Sequence, residues 1–182
     1  MPAEINQLNE RFSRTTPQAS GAVAHLVNCA YRPEGDSAQG WTHESDFVSG
    51  SRITPAQVEQ ILCRPQNRIY LAHQDDKLVG SIQATLLDGS IELGMFAVDP
   101  ARQNTGIGSR LMAYAEQTAG KEACATTAQI YVVHTQKMLI QFYERRGYRK
   151  TLRVEPYPVD ANAGTPKGIE LHLVHMVKRL QF

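Results

Sequence analysis

The chain is poor in cysteine, in long apolar runs and in any excess of charge. Cys29, Cys63 and Cys124 are its only cysteines, far apart and with no CxxC pair. An odd, scattered set supplies neither a disulfide framework nor a zinc site, so three buried or idle thiols are expected. No run of about eighteen apolar residues occurs, and MPAEINQLNERFSR at the N-terminus lacks the apolar core of a signal peptide. Neither a membrane span nor secretion is expected, which places the protein in the cytoplasm. Lys plus Arg number 19 against 18 Asp plus Glu, so no single-sign field is built in to draw nucleic acid or an anionic membrane. His172 and His175 in ELHLVHMV lie three apart. On a strand they face opposite sides and cannot ligate one metal, so both read as structural and no metal is expected.

What is present is ordinary globular material. The 182 residues, 42% apolar and 20% charged, suffice for one domain over residues 1–182 with a continuous core. A short strand is expected over Glu10–Arg14, then a helix over residues 17–30 with Pro17 in its first turn and Ala22, Leu26, Cys29 and Ala30 on one stripe. YRPEGDSAQGWTHESDFVSG reads as a long loop with a turn of helix near residues 44–48. In TPAQVEQILC, Thr54 caps a second helix, Pro55 takes its first position, Gln57 completes a capping box and the helix ends near Pro65.

Three strands follow, RIYLAH (68–73), LVGSIQATLL (78–87) and IELGMFAV (91–98), joined by Gln74-Asp75-Asp76 and by Asp88-Gly89 as an antiparallel meander. Ile107, Leu111, Tyr114, Ala115 and Ala119 then keep helical spacing, with Gly120 as the closing residue. A strand AQIYVV (128–133) leads to a helix capped by Thr135, with Leu139, Phe142 and Tyr143 on one face and a stop at Gly147. YRKTLRV and residues 169–177 form the last strands. The implied fold class is α/β: three layers, α-β-α, around a mixed, mostly antiparallel sheet of about seven strands.

The chemistry concentrates in VDPARQNTGIGSRL, residues 98–111, between a strand and a helix. Amides of residues 104–109 opening a helix have no intrahelical partners and form an anion site, and Gly106 and Gly108 remove Cβ atoms from a phosphate's path. A P-loop would need Lys where Ser109 stands, and a dinucleotide fingerprint would need Gly where Leu111 stands. The spacing that fits is Gln103-x-x-Gly106-x-Gly108 after Val98-Asp99-Pro100, which resembles the acetyl-coenzyme A signature of the Gcn5-related N-acetyltransferase (GNAT) superfamily. About 35 residues on, IQFYERRGYRK is similar to that superfamily's second signature. Ala30-Tyr31-Arg32, Gly40-Trp41-Thr42-x-Glu44 and Gly50-x-Arg52 further resemble a bacterial subgroup of it.

The resemblance implies the acyl-CoA N-acyltransferase fold, in which the fourth strand bulges and splays from the fifth to admit the pantetheine arm. The arm would take backbone groups of Phe96, Ala97 and Val98, as an added strand does. The diphosphate would lie on the amides of Gln103, Asn104, Thr105, Gly106, Ile107, Gly108 and Ser109. Tyr143 matches the family's tyrosine near the thioester sulfur, the general acid for the leaving thiolate. Glu92 occupies a strand position from which some members supply a base, with His134 and water as alternatives. Gln136 stands where many members carry an Asn that contacts the arm; the longer side chain alters that contact.

The acceptor wall would be the loop with Tyr31, Trp41, Glu44 and Arg52, together with PYPVDANAGTPKG. Acidic Glu44 suits a cationic amine and Arg52 a carboxylate. The expected activity is transfer of acetyl from acetyl-CoA to a primary amine of a small molecule or peptide, by direct attack in a ternary complex. No cysteine lies in either signature, which argues against a covalent acetyl-enzyme. A non-catalytic CoA-binding sensor or subunit, or transfer of another acyl group, are the rival expectations. The sequence is compatible with a homodimer.

Overall fold

The structure, a computed structural model, describes residues 9–33, 40–159 and 164–182. Alternation along the strand β3 (Asn67–Gln74) shows how its layers arise. Ile69 and Leu71 point into one core and Tyr70 and Ala72 into the other, so the strand is buried on both faces. It pairs antiparallel with β1 (Glu10–Arg14) and with β4 (Lys77–Leu87), which pairs antiparallel with β5 (Ser90–Val98). Asp75 and Asp76, both at positive φ, close the first hairpin, and Gly89 at φ +68 turns the second.

From β5 the chain crosses through helix α3 (Ile107–Glu122) to β6 (Thr127–Val133), which lies parallel to β5. β9 (His172–Arg179) fills the place between β6 and β7 (Arg149–Pro156), antiparallel to both. The seven-stranded order is β1-β3-β4-β5-β6-β9-β7. Helices α1 (Ser20–Tyr31) and α2 (Pro55–Leu62) cover one face, where Val23, Val27 and Val58 meet Ile69 and Leu71. On the other face Leu111, Met112 and Ala115 of α3 and Ile140 and Tyr143 of α4 (Lys137–Glu144) share a core with Tyr70, Ile82 and Ile91. Among the described residues no helix is long and apolar enough to cross a membrane.

Local chemistry explains most boundaries. The capping box of α2 is formed: Thr54 Oγ1 accepts the Gln57 N–H at 3.3 Å and the Thr54 N–H donates to Gln57 Oε1 at 2.8 Å. That helix stops at Leu62, before Pro65. Pro17 opens a short 3-10 turn rather than α1 itself, which begins at Ser20.

Gly120 does not end α3. It sits inside the helix, at a point where a Cβ would collide with the ring of Phe182. The closing left-handed residue is Cys124 at φ +49, followed by the Ala125 N–H donating to Gly120 O at 2.8 Å. Thr135 makes no cap either, since Gln136 holds the cap position of α4 without a side-chain bond to the helix. Gly147 does stop the segment after α4, at φ +90.

The helical turn expected at 44–48 is present as two bonds to Glu44 O, from the Phe47 N–H at 3.1 Å and the Val48 N–H at 2.9 Å, and it runs into a small ribbon, β2 (Val48–Ser49) with β8 (Thr165–Pro166). The last strand starts at His172 rather than 169, because Gly168 at φ +67 turns the chain and leaves Ile169 exposed. Cys63 and Cys124 are exposed rather than buried, and all three cysteines are free.

One irregularity shapes everything that follows. In β5, the fourth strand of the large sheet in chain order, Gly94 faces Gln83 and Ala97 faces Ser81, so Met95 and Phe96 together oppose one residue of β4. Met95 takes φ +45, an uncommon conformation for an unbranched bulky side chain, and forms a β-bulge. The parallel pairing with β6 runs from Ser90 and Thr127 to Leu93 and Ile130 and then stops. Beyond that point the two strands splay, and a cleft opens between them.

Candidate functional site

The turn after β5 is built by a short 3-10 segment, Pro100–Arg102, whose first amides are turned by Asp99: its Oδ1 accepts the Ala101 N–H at 3.0 Å. Asn104 at φ +64 and Gly106 at φ +83 then reverse the chain into α3. Among the described residues the amides of Asn104 through Ser109 find no backbone partner. A helix start with a glycine cap and unspent N–H groups is a seat for a phosphate-like anion. The Gln103 amide is already bonded to Pro100 O at 3.4 Å, so the seat begins at Asn104.

Gly108 also meets a packing need. A Cβ there would stand 3.2 Å from both Phe96 Cζ and Val98 Cγ2, so the missing side chain lets α3 sit directly on β5. A cavity of about 260 Å³ lies over this turn, lined by Phe96, Val98, Gly106, Gly108, Ser109, Phe142 and Arg146 among others. Arg146 stacks its guanidinium 3.4 Å above the centroid of the Phe142 ring, donates to Phe142 O at 2.8 Å and also to Ser109 Oγ. Arg102 and Arg145 line the same cavity. Three guanidinium groups around unspent amides favour a polyanion.

A second cavity of about 200 Å³ adjoins the first, Phe96 and Leu139 lining both. It occupies the splay between β5 and β6 and contains Tyr31, Glu44, Arg52, Glu92, Gln136 and Tyr143. Tyr143 is buried edge-on to Tyr148 and to Phe142, and burial pushes its phenol far above the ordinary value of 10. Its hydroxyl therefore stays protonated across the physiological range, as a proton donor must. Tyr31 donates its hydroxyl to Phe96 O, in the bulge, at 2.9 Å. Burial, partly offset by Arg52, pushes the Tyr31 phenol up to about 12. Glu92 sits at the foot of the splay, where Gln129 Nε2 donates to its Oε2 at 3.0 Å.

His134 is outside the lining of either cavity. It stacks on His172 with ring centroids 3.8 Å apart, and its Nδ1 accepts the His172 N–H at 3.3 Å. His175 is held by Thr151 and Gln129, on the opposite side of β9 from His172.

Trp41 lies in the first cavity rather than with Glu44 and Arg52 in the second. It tilts against Phe142 at 5.9 Å, and its backbone N–H donates to Gln103 Oε1 at 3.1 Å. Gln103 Nε2 donates to Thr42 Oγ1 at 3.1 Å, and Gln136 Nε2 donates to His43 O at 2.8 Å. The segment 40–43 is thus a strap fastened to the glycine turn at one side and to the start of α4 at the other. Glu44, the next residue, is buried in an ion pair with Arg32 at 2.6 Å. Residues 34–39 and 160–163 of the two expected acceptor segments lie outside the described residues, while Tyr157 and Pro158 line the second cavity.

A family model described as the acetyltransferase (GNAT) family matches residues 26–148. The chain belongs to this family. Solved structures of GNAT fold match nearly its full length. The ribosomal-protein-S18-alanine N-acetyltransferase from Escherichia coli is 15% identical, covers 95% of each chain and gives a TM-score of 0.68. The IAA acetyltransferase from Bacillus cereus is 16% identical over 94% of this chain and 99% of its own, at 0.67. A GNAT family acetyltransferase from Elizabethkingia anophelis with acetyl-CoA bound is 18% identical over 94% and 99%, at 0.66. Identities this low establish a shared fold. Comparison with curated protein sequences gives no match.

In this GNAT chain the two signatures face each other across one cleft, with Gly106 and Ser109 on one wall and Phe142 and Arg146 on the other. Arg146 was not singled out in the sequence, although it stands four residues after Phe142 and so one helical turn below it. The strap was missed because its anchors, Gln103 and Gln136, lie 62 residues from Trp41 and 93 from His43.

Proposed function

We propose that the chain is an N-acetyltransferase that moves the acetyl group of acetyl-CoA to a primary amine of a small molecule or peptide, by direct attack in a ternary complex. The observation that carries this reading is that the two cavities adjoin, with Phe96 and Leu139 lining both. Unspent amides and Arg146 stand at one end, and Tyr143 and Glu92 at the other. An anionic diphosphate fits the first part. The thin, thioester-bearing arm fits the splay, taking the backbone of Phe96, Ala97 and Val98 as its strand partner.

At the reacting centre two protons must move. A primary amine with pKa near 10.4 is neutral in roughly one molecule in 2,500 at pH 7, a cost of about 4.6 kcal/mol before attack. Glu92, directly or through water, accepts the proton from the incoming ammonium. The nitrogen lone pair forms the C–N bond, the C–S bond breaks, and Tyr143 passes its proton to the departing thiolate; the second proton leaves the nitrogen as the amide forms and restores Tyr143, and Glu92 releases the first to water. Tyr31, bonded to Phe96 O, holds the bulge in shape. The cytoplasm is the compartment where this donor and the three free thiols are both expected.

Calorimetry with acetyl-CoA, followed by thiol release across a panel of amines, tests the reading. Binding with amine-dependent thiol release is expected. Binding with no release on any amine would leave a CoA-binding module and end the transferase reading, and a preference for succinyl over acetyl donors would end the acetyl assignment.

A further inference from the structure

We propose that the acceptor is an amino acid, a primary amine with a carboxylate next to it, and that Arg52 holds the carboxylate. The inference rests on the transferase reading and names its substrate class. The cleft between the splayed strands adjoins a groove of about 450 Å³ along α2, and Arg52, Glu92, Gly94 and Met95 line both. The strand is bare two residues from Glu92, since nothing lies within 4 Å of where a Cβ on Gly94 would be.

Arg52 is placed but not neutralised. Its backbone N–H donates to Asn28 Oδ1 at 2.7 Å, and its guanidinium carbon stands 5.4 Å from the centroid of the Tyr31 ring. Among the described residues it has no carboxylate partner, whereas neighbouring Arg32 is paired with Glu44 at 2.6 Å. Glu44 is thereby spent on Arg32. Glu92, oriented by Gln129, is left as the acidic group of the wall with no ion-pair partner within 4 Å among the described residues.

The wall therefore presents one anion and one cation to a small polar ligand, and a zwitterion matches both. Its ammonium goes to Glu92, and its carboxylate takes the planar fork of Arg52 in paired hydrogen bonds. The guanidinium stands over the Tyr31 ring at 5.4 Å, and that ring is itself pinned to the bulge through Phe96 O. Arg64 on the same groove adds a second positive charge, which disfavours polyamines and other multiply cationic acceptors.

The test uses the full chain with acetyl-CoA and matched acceptors: each standard amino acid beside its carboxamide and its decarboxylated amine, read by thiol release. For the best side chain, kcat/KM should favour the free acid roughly 10- to 100-fold, mostly through KM. Arg52→Gln should bring the acid down to the level of its carboxamide by raising KM, and Arg52→Lys should recover part of the preference. Acetyl-CoA affinity of each variant, by calorimetry, reports that the fold is intact. Equal or better use of carboxamides and decarboxylated amines would overturn the proposal while leaving the transferase in place. So would an unchanged acid preference in Arg52→Gln. Donor binding without turnover of any acceptor would instead remove the transferase reading, and this inference with it.

Discussion

Replacing Gly106 by alanine separates the backbone of the glycine turn from its ligand. Gly106 holds φ +83, which an L side chain enters at a cost of about 1–2 kcal/mol. The added Cβ would stand 2.8 Å from Arg110 Nη1, the far end of a half-exposed side chain that can swing away. Doing so gives up the Arg110 pair with Glu10, worth about 0–1 kcal/mol at the surface. For a chain of this length the sum, about 1–3 kcal/mol, lowers the melting temperature by about 2–12 °C. If the turn relaxes out of the left-handed region, the amides around it turn away from the anion. Losing one charge-assisted hydrogen bond weakens CoA binding roughly 10- to 150-fold.

Gly89 supplies the control. It has φ +68, nothing within 4 Å of its Cβ position, and a place on the β4–β5 hairpin away from both cavities. Gly89→Ala carries a similar backbone penalty and should leave CoA affinity within about twofold. Differential scanning fluorimetry and calorimetry on the two variants decide the matter. Wild-type affinity in Gly106→Ala, or an equal loss in Gly89→Ala, would refute the cradle.

Other outcomes follow from the same geometry. Tyr143→Phe should lower kcat about 10²- to 10⁴-fold with acetyl-CoA affinity unchanged within about twofold, and full turnover in steady-state assays would exclude it as the acid. Tyr31 at about 12 and Tyr143 higher still are phenols that the folded chain keeps neutral and the unfolded chain ionises near 10. Their contribution is complete below pH 10 and is lost as pH rises from 10 toward 12, so melting curves should fall steeply above pH 10; a flat profile up to about pH 11.5 would contradict this. Glu116 is buried, accepting the Tyr148 hydroxyl at 2.8 Å and Lys178 Nζ at 2.6 Å. Glu116→Ala strands both partners and should cost about 3 kcal/mol in chemical denaturation, and a loss under about 1 kcal/mol would show the pair to be incidental.

How much of this was legible beforehand depended on whether the deciding interaction was local. The capping box at Thr54 and Gln57, the left-handed stop at Gly147 and the meander of β3, β4 and β5 are set within a few residues, and their residues announce them. Gly120 misled for the opposite reason: its size answers to Phe182, 62 positions away, and not to the end of its own helix. Gly108 has a packing role that its spacing does not announce, because Phe96 and Val98 press on it from the neighbouring strand while it also lines the first cavity. Met95 carries no mark of its positive φ, and only family resemblance pointed to a bulge there. Tyr143 and Glu92 were nameable from pattern, but Arg52 as a cation without a carboxylate required knowing that Arg32 takes Glu44.

The strap at 40–43 has a consequence for the order of events. Gln103 holds it on the glycine turn and Gln136 holds it at α4, while the chain running on from it through Glu44 to Arg52 becomes the wall of the second cavity. One stretch of backbone therefore serves both ligands, and whichever enters beneath the strap sets the shape met by the other. In the proposed reaction the donor lies in the cavity that Trp41 lines, so the donor comes first and the amine follows. Initial-rate kinetics should accordingly show an unreactive analogue of the amine inhibiting uncompetitively against acetyl-CoA, the signature of a compulsory sequence rather than a random one.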